Sequence, residues 1–295
     1  MAKKPKIAFI GLGVMGYHMA GFLAKNNHHI TVWNRNIQRS IKWHDEFSKP
    51  YAESLKEAVT NADVVIICVG KDEDVLEVVL SAKGIIHHMK QGSVLIDHTT
   101  TSFNLTKTLH KELSNKNINF IDAPLTGGEA GAKGGILSIM CGGDKDILEK
   151  VKPIIYCYSK IITYIGASGS GQLAKMTNQI CICGVIQSLS EAIKFAEAEN
   201  INIDNLLNAI SGGAAQSWQM DNRANTMHKR NFDFGFAVKW MVKDLGYCID
   251  RAKKNGTDLE FTKQIYDKYL SLMKTGYENK DTSSLILAES QRNKT

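Results

Sequence analysis

Five runs in the first half of the chain, KIAFI (6–10), HITVW (29–33), DVVIICV (63–69), SVLIDHT (93–99) and INFIDAP (118–124), are apolar with little polar alternation. A strand with one wet face must alternate, so runs of this kind belong to strands covered on both faces. Between them lie stretches with helical patterning, YAESLKEAVTNA, EDVLEVVL and SFNLTKTLHKELSNK. The combination predicts an α/β fold with a mostly parallel sheet between helical layers. Two further runs, ILSIMCG and IITYIG, extend the sheet around a helix near 144–158, and the first domain is expected to span 1–166.

After GASGSG (166–171) the texture changes. QLAKMTNQICICGVIQSLSEAIKFAEAEN is patterned as one helix, with an apolar stripe expected at Leu173, Met176, Ile180, Val185, Leu189, Ala192 and Ala196. Glu191, Lys194 and Glu197 fall where a solvated face would lie. Four more helical patterns follow, NIDNLLNAISGG, AVKWMVKDLGYCIDRAKKNG, LEFTKQIYDKYLSLMKTG and DTSSLILAESQR, with no strand among them. Residues 167–295 are therefore expected to form an all-helical domain that opens with a long interdomain helix.

A net charge of +6 over 295 residues is mild and scattered, the opening MAKKPK being the one short basic run. It offers neither the basic stripe nor the reading motif of a nucleic-acid binder. No stretch of 18 apolar residues occurs, and the first apolar run turns at once into glycines, so a soluble cytoplasmic protein without membrane contact is expected. Six cysteines with no CxxC pair fit free thiols better than a disulfide framework, and no HExxH-type spacing supports a metal.

The first strand runs into GLGVMG, whose Gly11, Gly13 and Gly16 have the dinucleotide-binding spacing. The first glycine permits the tight turn, the second lets backbone approach a pyrophosphate, and the third lets helix and strand close up. After the second strand, where an acid would accept the ribose hydroxyls of NAD, stand Asn34 and Arg35. A neutral amide and a cationic fork favour the 2′-phosphate of NADP(H), with NAD(H) possible; the alternative leaves Arg35 as a solvated loop residue.

FIGLGVMG, DAPLTGGEAGAKGG, GSGQLAKMTNQ and VKDLG stand in the order and spacing of the β-hydroxyacid dehydrogenases. Over almost its whole length the chain resembles that family, which includes 3-hydroxyisobutyrate dehydrogenase, tartronate semialdehyde reductase and glyoxylate/succinic semialdehyde reductase. The resemblance implies a Rossmann-type NAD(P)-binding domain, an all-helical C-terminal domain and an active site in the cleft between them. It assigns the cofactor to Gly11, Leu12, Gly13, Val14, Met15 and Gly16, with Val69, Thr100 of IDHTT and Lys243 of KDLG beside it. The substrate motif falls on Asp122, Pro124, Thr126, Gly127 and Gly128, with threonine where serine is usual; the extra methyl is expected to narrow the pocket. The catalytic lysine falls on Lys175. Asn178 and Gln179 occupy the next two amide positions, and which of them meets substrate is left open. A homodimer or homotetramer is also implied.

Chemistry agrees with that placement. Reduction of a carbonyl needs a proton donor where alkoxide charge develops, and an ammonium can be that donor. Periodicity alone would instead make Lys175 a snorkelling surface residue with Asn178 and Gln179 facing solvent. Gly171, without a side chain, is expected to leave room for a ligand against the helix. The glycine-dense TGGEAGAKGG suits a substrate carboxylate held by Thr126 and the amides of Gly127 and Gly128. Trp218 and Phe236 are candidates for the substrate-pocket wall. The sequence thus predicts an NAD(P)-dependent oxidoreductase that interconverts a small β-hydroxyacid and its aldehyde or keto acid, NADPH-preferring and reductive. A non-catalytic NADP(H)-binding sensor is the competing class.

Overall fold

The order of elements begins β1 (Lys6–Ile10), α1 (Gly16–Lys25), β2 (His29–Trp33), α2 (Ile37–Phe47), α3 (Leu55–Val59), β3 (Val64–Ile67), α4 (Asp72–Leu80) and β4 (Val94–Asp97). It continues with α5 (Phe103–Ser114), β5 (Asn119–Asp122), β6 (Leu125–Thr126), α6 (Gly128–Gly134), β7 (Leu137–Gly143), α7 (Lys145–Ile155) and β8 (Ser159–Gly166). The helices α8 (Ser170–Ala198), α9 (Ile203–Ile210), α10 (Trp218–His228), α11 (Val238–Asn255) and α12 (Glu260–Lys274) complete it, with a final 3-10 turn at Thr282–Leu287. This computed structural model describes residues 4–288. The first residues of the basic run and the end of DTSSLILAESQR lie outside the described residues; the described part of the latter is the 3-10 turn rather than an α-helix.

The chain divides within α8 into two compact units, one ending at Lys175 and one starting at Met176. In the first, the sheet runs β2-β1-β3-β4-β5-β7-β6 with β8 beside β7. Strands β2, β1, β3, β4 and β5 are parallel, and β7 runs antiparallel to β5 and β6 but parallel to β8. Alternate residues of β1 feed two separate cores: Ile7 and Phe9 pack with Met19, Leu23 and Trp43, while Ala8 and Ile10 pack with Val59, Val75 and Leu109. Burial on both faces is why these strands carry so little polar alternation.

Register decides where function can sit. Ile10 pairs with Trp33 on one side and Ile67 on the other, Ile67 with Asp97, and Asp97 with Asp122. Five strands therefore end level along one edge. β1 is flanked by β2 on one side and β3 on the other, and the chain order reverses there, as at the crevice where open α/β sheets bind ligands.

One helical expectation is corrected, and two helices are added. YAESLKEAVTNA is not one helix, because residues 50–52 run alongside β2: Val32 N–H donates to Pro50 O and Ala52 N–H to Val32 O. The helix starts only after Ser54, whose side chain caps it through Glu57 N–H at 3.1 Å. Ahead of it stands α2, which the strand-centred reading passes over; Asn36 caps it and Trp43 anchors it with no exposed surface. In the second unit α10 is likewise an added helix, capped by Ser217.

α8 is a single helix of 29 residues. Its buried side differs from the expected stripe: Met176, Leu189 and Ala196 are buried, but Val185 is 37% exposed and Ala192 is exposed. The inward positions include Gln172, Lys175, Gln179, Gln187 and Ser190. A hydrophobicity pattern skips such residues because burial there is satisfied by hydrogen bonds rather than by apolar area. In the second unit Cys183 and Ile186 pack with Val238, Met241, Leu245, Ile265 and Tyr269.

Candidate active site

At the end of β1 the three glycines are required for different reasons. Gly11 has φ +99°, and a Cβ there would lie 2.3 Å from Cys68 O. A Cβ on Gly16 would lie 2.0 Å from Gly11 O, so those two glycines serve the protein's own packing. Gly13 differs, since a Cβ there would meet nothing within 4 Å. The α1 N-terminus has no side-chain cap and no acid in its first turn. An uncapped, acid-free helix start beside open space is suited to a phosphate group, and these residues fit a dinucleotide.

Side chains hold this loop in place. Leu12 N–H donates to Asn34 Oδ1 at 2.9 Å, and Asn34 Nδ2 donates to Asn36 O at 3.0 Å. Arg39, in the first turn of α2, donates from Nη1 to Leu12 O at 3.3 Å. Sequence reading missed Arg39, although its place four positions after Arg35 was available as a signal. The Arg35 side chain is 76% exposed and faces Asp74 at 3.3 Å and Glu77 at 3.8 Å. Leu12 is buried, Met15 is partly buried and Val14 is exposed.

The loops after β3, β4 and β5 are joined by a hydrogen-bond network. Asp97 Oδ1 accepts from Thr99 N–H at 2.8 Å, and Val69 N–H donates to Thr99 Oγ1 at 3.1 Å. Gln172 grips the same loop twice, donating from Nε2 to Thr99 O at 2.7 Å and accepting at Oε1 from Thr101 N–H at 3.1 Å. Thr100, between these contacts, is half-buried. The Asp122 carboxylate accepts from Gly169 N–H at 2.8 Å and Gln172 N–H at 3.0 Å, tying the start of α8 to β5. Lys175 follows on that helix, 8% exposed.

Gly171 is where this junction closes. A Cβ there would lie 2.5 Å from Met140 O and 2.7 Å from Asp122 O. Its missing side chain makes room for the sheet rather than for a ligand, which corrects the sequence expectation.

Burial controls the titration of this cluster. Desolvation pushes Asp97 up to about 7, partly opposed by its hydrogen bonds from Thr99; Oδ2 has no hydrogen-bond partner among the described residues. Asp122 is pushed up to about 6 by burial, against the backbone N–H groups that favour its charged form. Desolvation takes His98 down to about 4. Its Nδ1 lies 2.6 Å from Ala123 O, which can only accept, so Nδ1 carries the proton and Nε2 accepts from the Tyr158 hydroxyl at 2.9 Å.

Thr126 ends β6 and Gly128 opens α6, so TGGEAGAKGG is a strand end and short helix rather than a plain loop. Gly127 and Gly128 have φ +122° and +60°, and a Cβ on Gly128 would meet nothing within 4 Å. As at Gly13, backbone faces open space.

In the second unit Gln179 is 1% exposed and both ends of its amide are engaged. Oε1 accepts from Asn178 Nδ2 at 2.8 Å, and Nε2 donates to Asp244 Oδ2 at 2.8 Å. Lys243 pairs with Asp244 Oδ1 at 3.3 Å and lies 5.6 Å from the ring centroids of both Trp240 and Tyr247. Trp218 is half-exposed, its ring 4.8 Å from the Arg223 guanidinium. Arg223 also lies 4.7 Å from the Phe234 ring and pairs with buried Asp281 at 3.3 Å. Phe236 packs on the α11–α12 core, and its N–H donates to Asp281 Oδ2 at 2.9 Å. Among the described residues no cluster of metal-ligating side chains occurs, and no helix is long and apolar enough to cross a membrane.

Residues 6–166 match the family model for the NAD-binding domain of 6-phosphogluconate dehydrogenase. Residues 169–288 match that for the NAD-binding region of NADP-dependent 3-hydroxyisobutyrate dehydrogenase. The chain belongs to the 3-hydroxyisobutyrate dehydrogenase-like family of NAD(P)-dependent oxidoreductases. Within that family it is 44% identical to an uncharacterized oxidoreductase of Shewanella frigidimarina over 95% of this chain and 97% of the relative. It is 31% identical to 2-hydroxy-3-oxopropionate reductase of Escherichia coli over 96% of each chain. The solved 3-hydroxyisobutyrate dehydrogenase of Mycobacterium tuberculosis with L-serine is 26% identical, with a TM-score of 0.86 over 97% of this chain and 99% of that one. The Rossmann-type α/β unit followed by helices is the fold the sequence predicted.

Proposed function

We propose that the protein interconverts a small β-hydroxyacid with its aldehyde or keto acid, preferring NADPH and running towards reduction. The observation that carries this reading is the buried ammonium of Lys175, on the helix whose first turn is tied to both Asp122 and the Thr99–Thr101 segment. When bound, the nicotinamide cofactor supplies or accepts hydride. Gly11–Gly16 and the α1 N-terminus hold its pyrophosphate, Val69, Thr100 and Lys243 lie along it, and Arg35 with Arg39 receives the 2′-phosphate.

Lys175 Nζ donates a hydrogen bond to the reacting oxygen, steadies the charge that gathers there and gives up its proton; in the reverse direction the neutral amine accepts one. Thr126 and the backbone of Gly127 and Gly128 hold the substrate carboxylate, with Phe236 and Trp218 in the wall around it. Between the two amides, Asn178 is assigned to the substrate and Gln179 to orienting Asn178, since both ends of the Gln179 amide are already engaged. Residues 1–166 and 167–295 are assigned as the dinucleotide and substrate domains, and the assembly as a homodimer or homotetramer.

A panel of small carbonyl acids and hydroxyacids, assayed with both cofactors on wild type and Lys175→Ala, tests the reading. Turnover by wild type alone, faster with NADPH, is expected. NADP(H) binding without turnover of any panel member would instead mark a sensor.

A further inference from the structure

We propose that Gln172 is a positioning residue that sets the spacing between the Thr100 loop and the turn of α8 that carries Lys175. The role rests on the assignment of those two residues made above. The side chain has no exposed surface and spends both ends of its amide on one loop. It meets Thr99 through the carbonyl and Thr101 through the N–H, as a neighbouring strand would, and so engages both of the peptide groups that flank Thr100.

Its own backbone N–H is held by Asp122 Oδ2 at 3.0 Å, so one residue joins the ends of β4 and β5 to the helix start. Gln172 and Lys175 are three positions apart on α8 and share a face. A shift of the loop is therefore a shift relative to the lysine. Other contacts hold the same loop, namely Thr99 N–H on Asp97, Val69 N–H on Thr99 Oγ1, and Thr101 Oγ1 with Thr106 Oγ1 at 3.2 Å. None of these reaches α8. Removing the amide should loosen the spacing while the loop and the glycine-rich turn stay folded.

The test compares wild type, Gln172→Met and Lys175→Ala. Methionine keeps length and volume but neither hydrogen bond. Per folded molecule, Gln172→Met should lose at least about tenfold in kcat, with KM and the NADPH Kd within about threefold, as displacement of a reacting geometry requires. Hydrogen exchange at the Thr101 amide should speed up without the cofactor present. Should Gln172→Met fail to fold, Gln172→Glu, which keeps the acceptor for Thr101 but loses the donor to Thr99 O, is read by kcat and KM alone, on the same scale.

Unchanged kcat in the glutamine variant beside an inactive Lys175→Ala overturns the positioning role and leaves the lysine assignment standing. Full turnover by Lys175→Ala overturns both. Unchanged exchange at Thr101 in Gln172→Met overturns the positioning role whatever the turnover.

Discussion

The Asp122 carboxylate accepts from the Gln172 backbone N–H at 3.0 Å, and through that contact the end of β5 and the first turn of α8 become one piece, a turn ahead of Lys175. An ammonium carried on such a piece should contribute to chemistry more than to binding. Lys175→Ala should lower kcat by on the order of 100-fold and leave the NADPH Kd nearly unchanged. Stopped-flow turnover with cofactor titration measures both, and near-wild-type kcat would remove Lys175 from the mechanism.

The glycine-rich turn separates folding from binding. Gly13→Ala should leave urea stability within about 0.5 kcal/mol of wild type, as a Cβ placed in open space requires. It should nevertheless weaken NADPH binding by at least about tenfold, because that space is assigned to the pyrophosphate. Gly16→Ala should cost about 2 kcal/mol or more in stability, its Cβ being driven against Gly11 O. Equal effects of the two substitutions on folding would contradict this division.

Cofactor choice should move with the two arginines beside the glycine-rich turn. Removing a charge-assisted hydrogen bond costs roughly 1.5–3 kcal/mol, about 10- to 100-fold in affinity. Arg35→Asp combined with Arg39→Ala is expected to reduce the NADPH-over-NADH ratio of kcat/KM by that factor. An unchanged ratio would show that these residues do not read the 2′-phosphate.

Asp97 gives the protein a definite pH signature. Its carboxyl is raised from 3.8 to about 7 in the fold, so between those values the folded state holds a proton that the unfolded state has lost. Its contribution to stability is therefore greatest below about pH 4 and declines as pH rises towards 7. His98, lowered to about 4, works in the opposite direction but is common to wild type and Asp97→Asn. The variant should gain stability relative to wild type as pH rises from 5 to 8. Urea unfolding at both ends measures the difference, and a variant-minus-wild-type stability that stays constant or falls from pH 5 to 8 would refute the assignment.

Much of the first unit was legible because its strands are buried on both faces and leave an unbroken apolar signature. Trp43 and α2 were harder to see, since that helix is polar except for one anchoring face. In α8 the reading failed where polar side chains turn inward: Gln172 and Gln179 satisfy each end of their amides internally, so no apolar stripe marks their side of the helix. Gly171 was legible as a special position but not for its reason, because the close approach of Met140 and Asp122 depends on strands remote in sequence. Lys175 was reached through motif resemblance; spacing alone would have left it at the surface.

Asn34 and Arg39 grip Leu12 at its N–H and at its carbonyl. A turn arrested in this way has little freedom left to surrender on complex formation. Capture of the cofactor should then follow the rate of encounter, with no slow rearrangement of the turn, and substrate exchange rather than cofactor entry becomes the natural place for a rate limit.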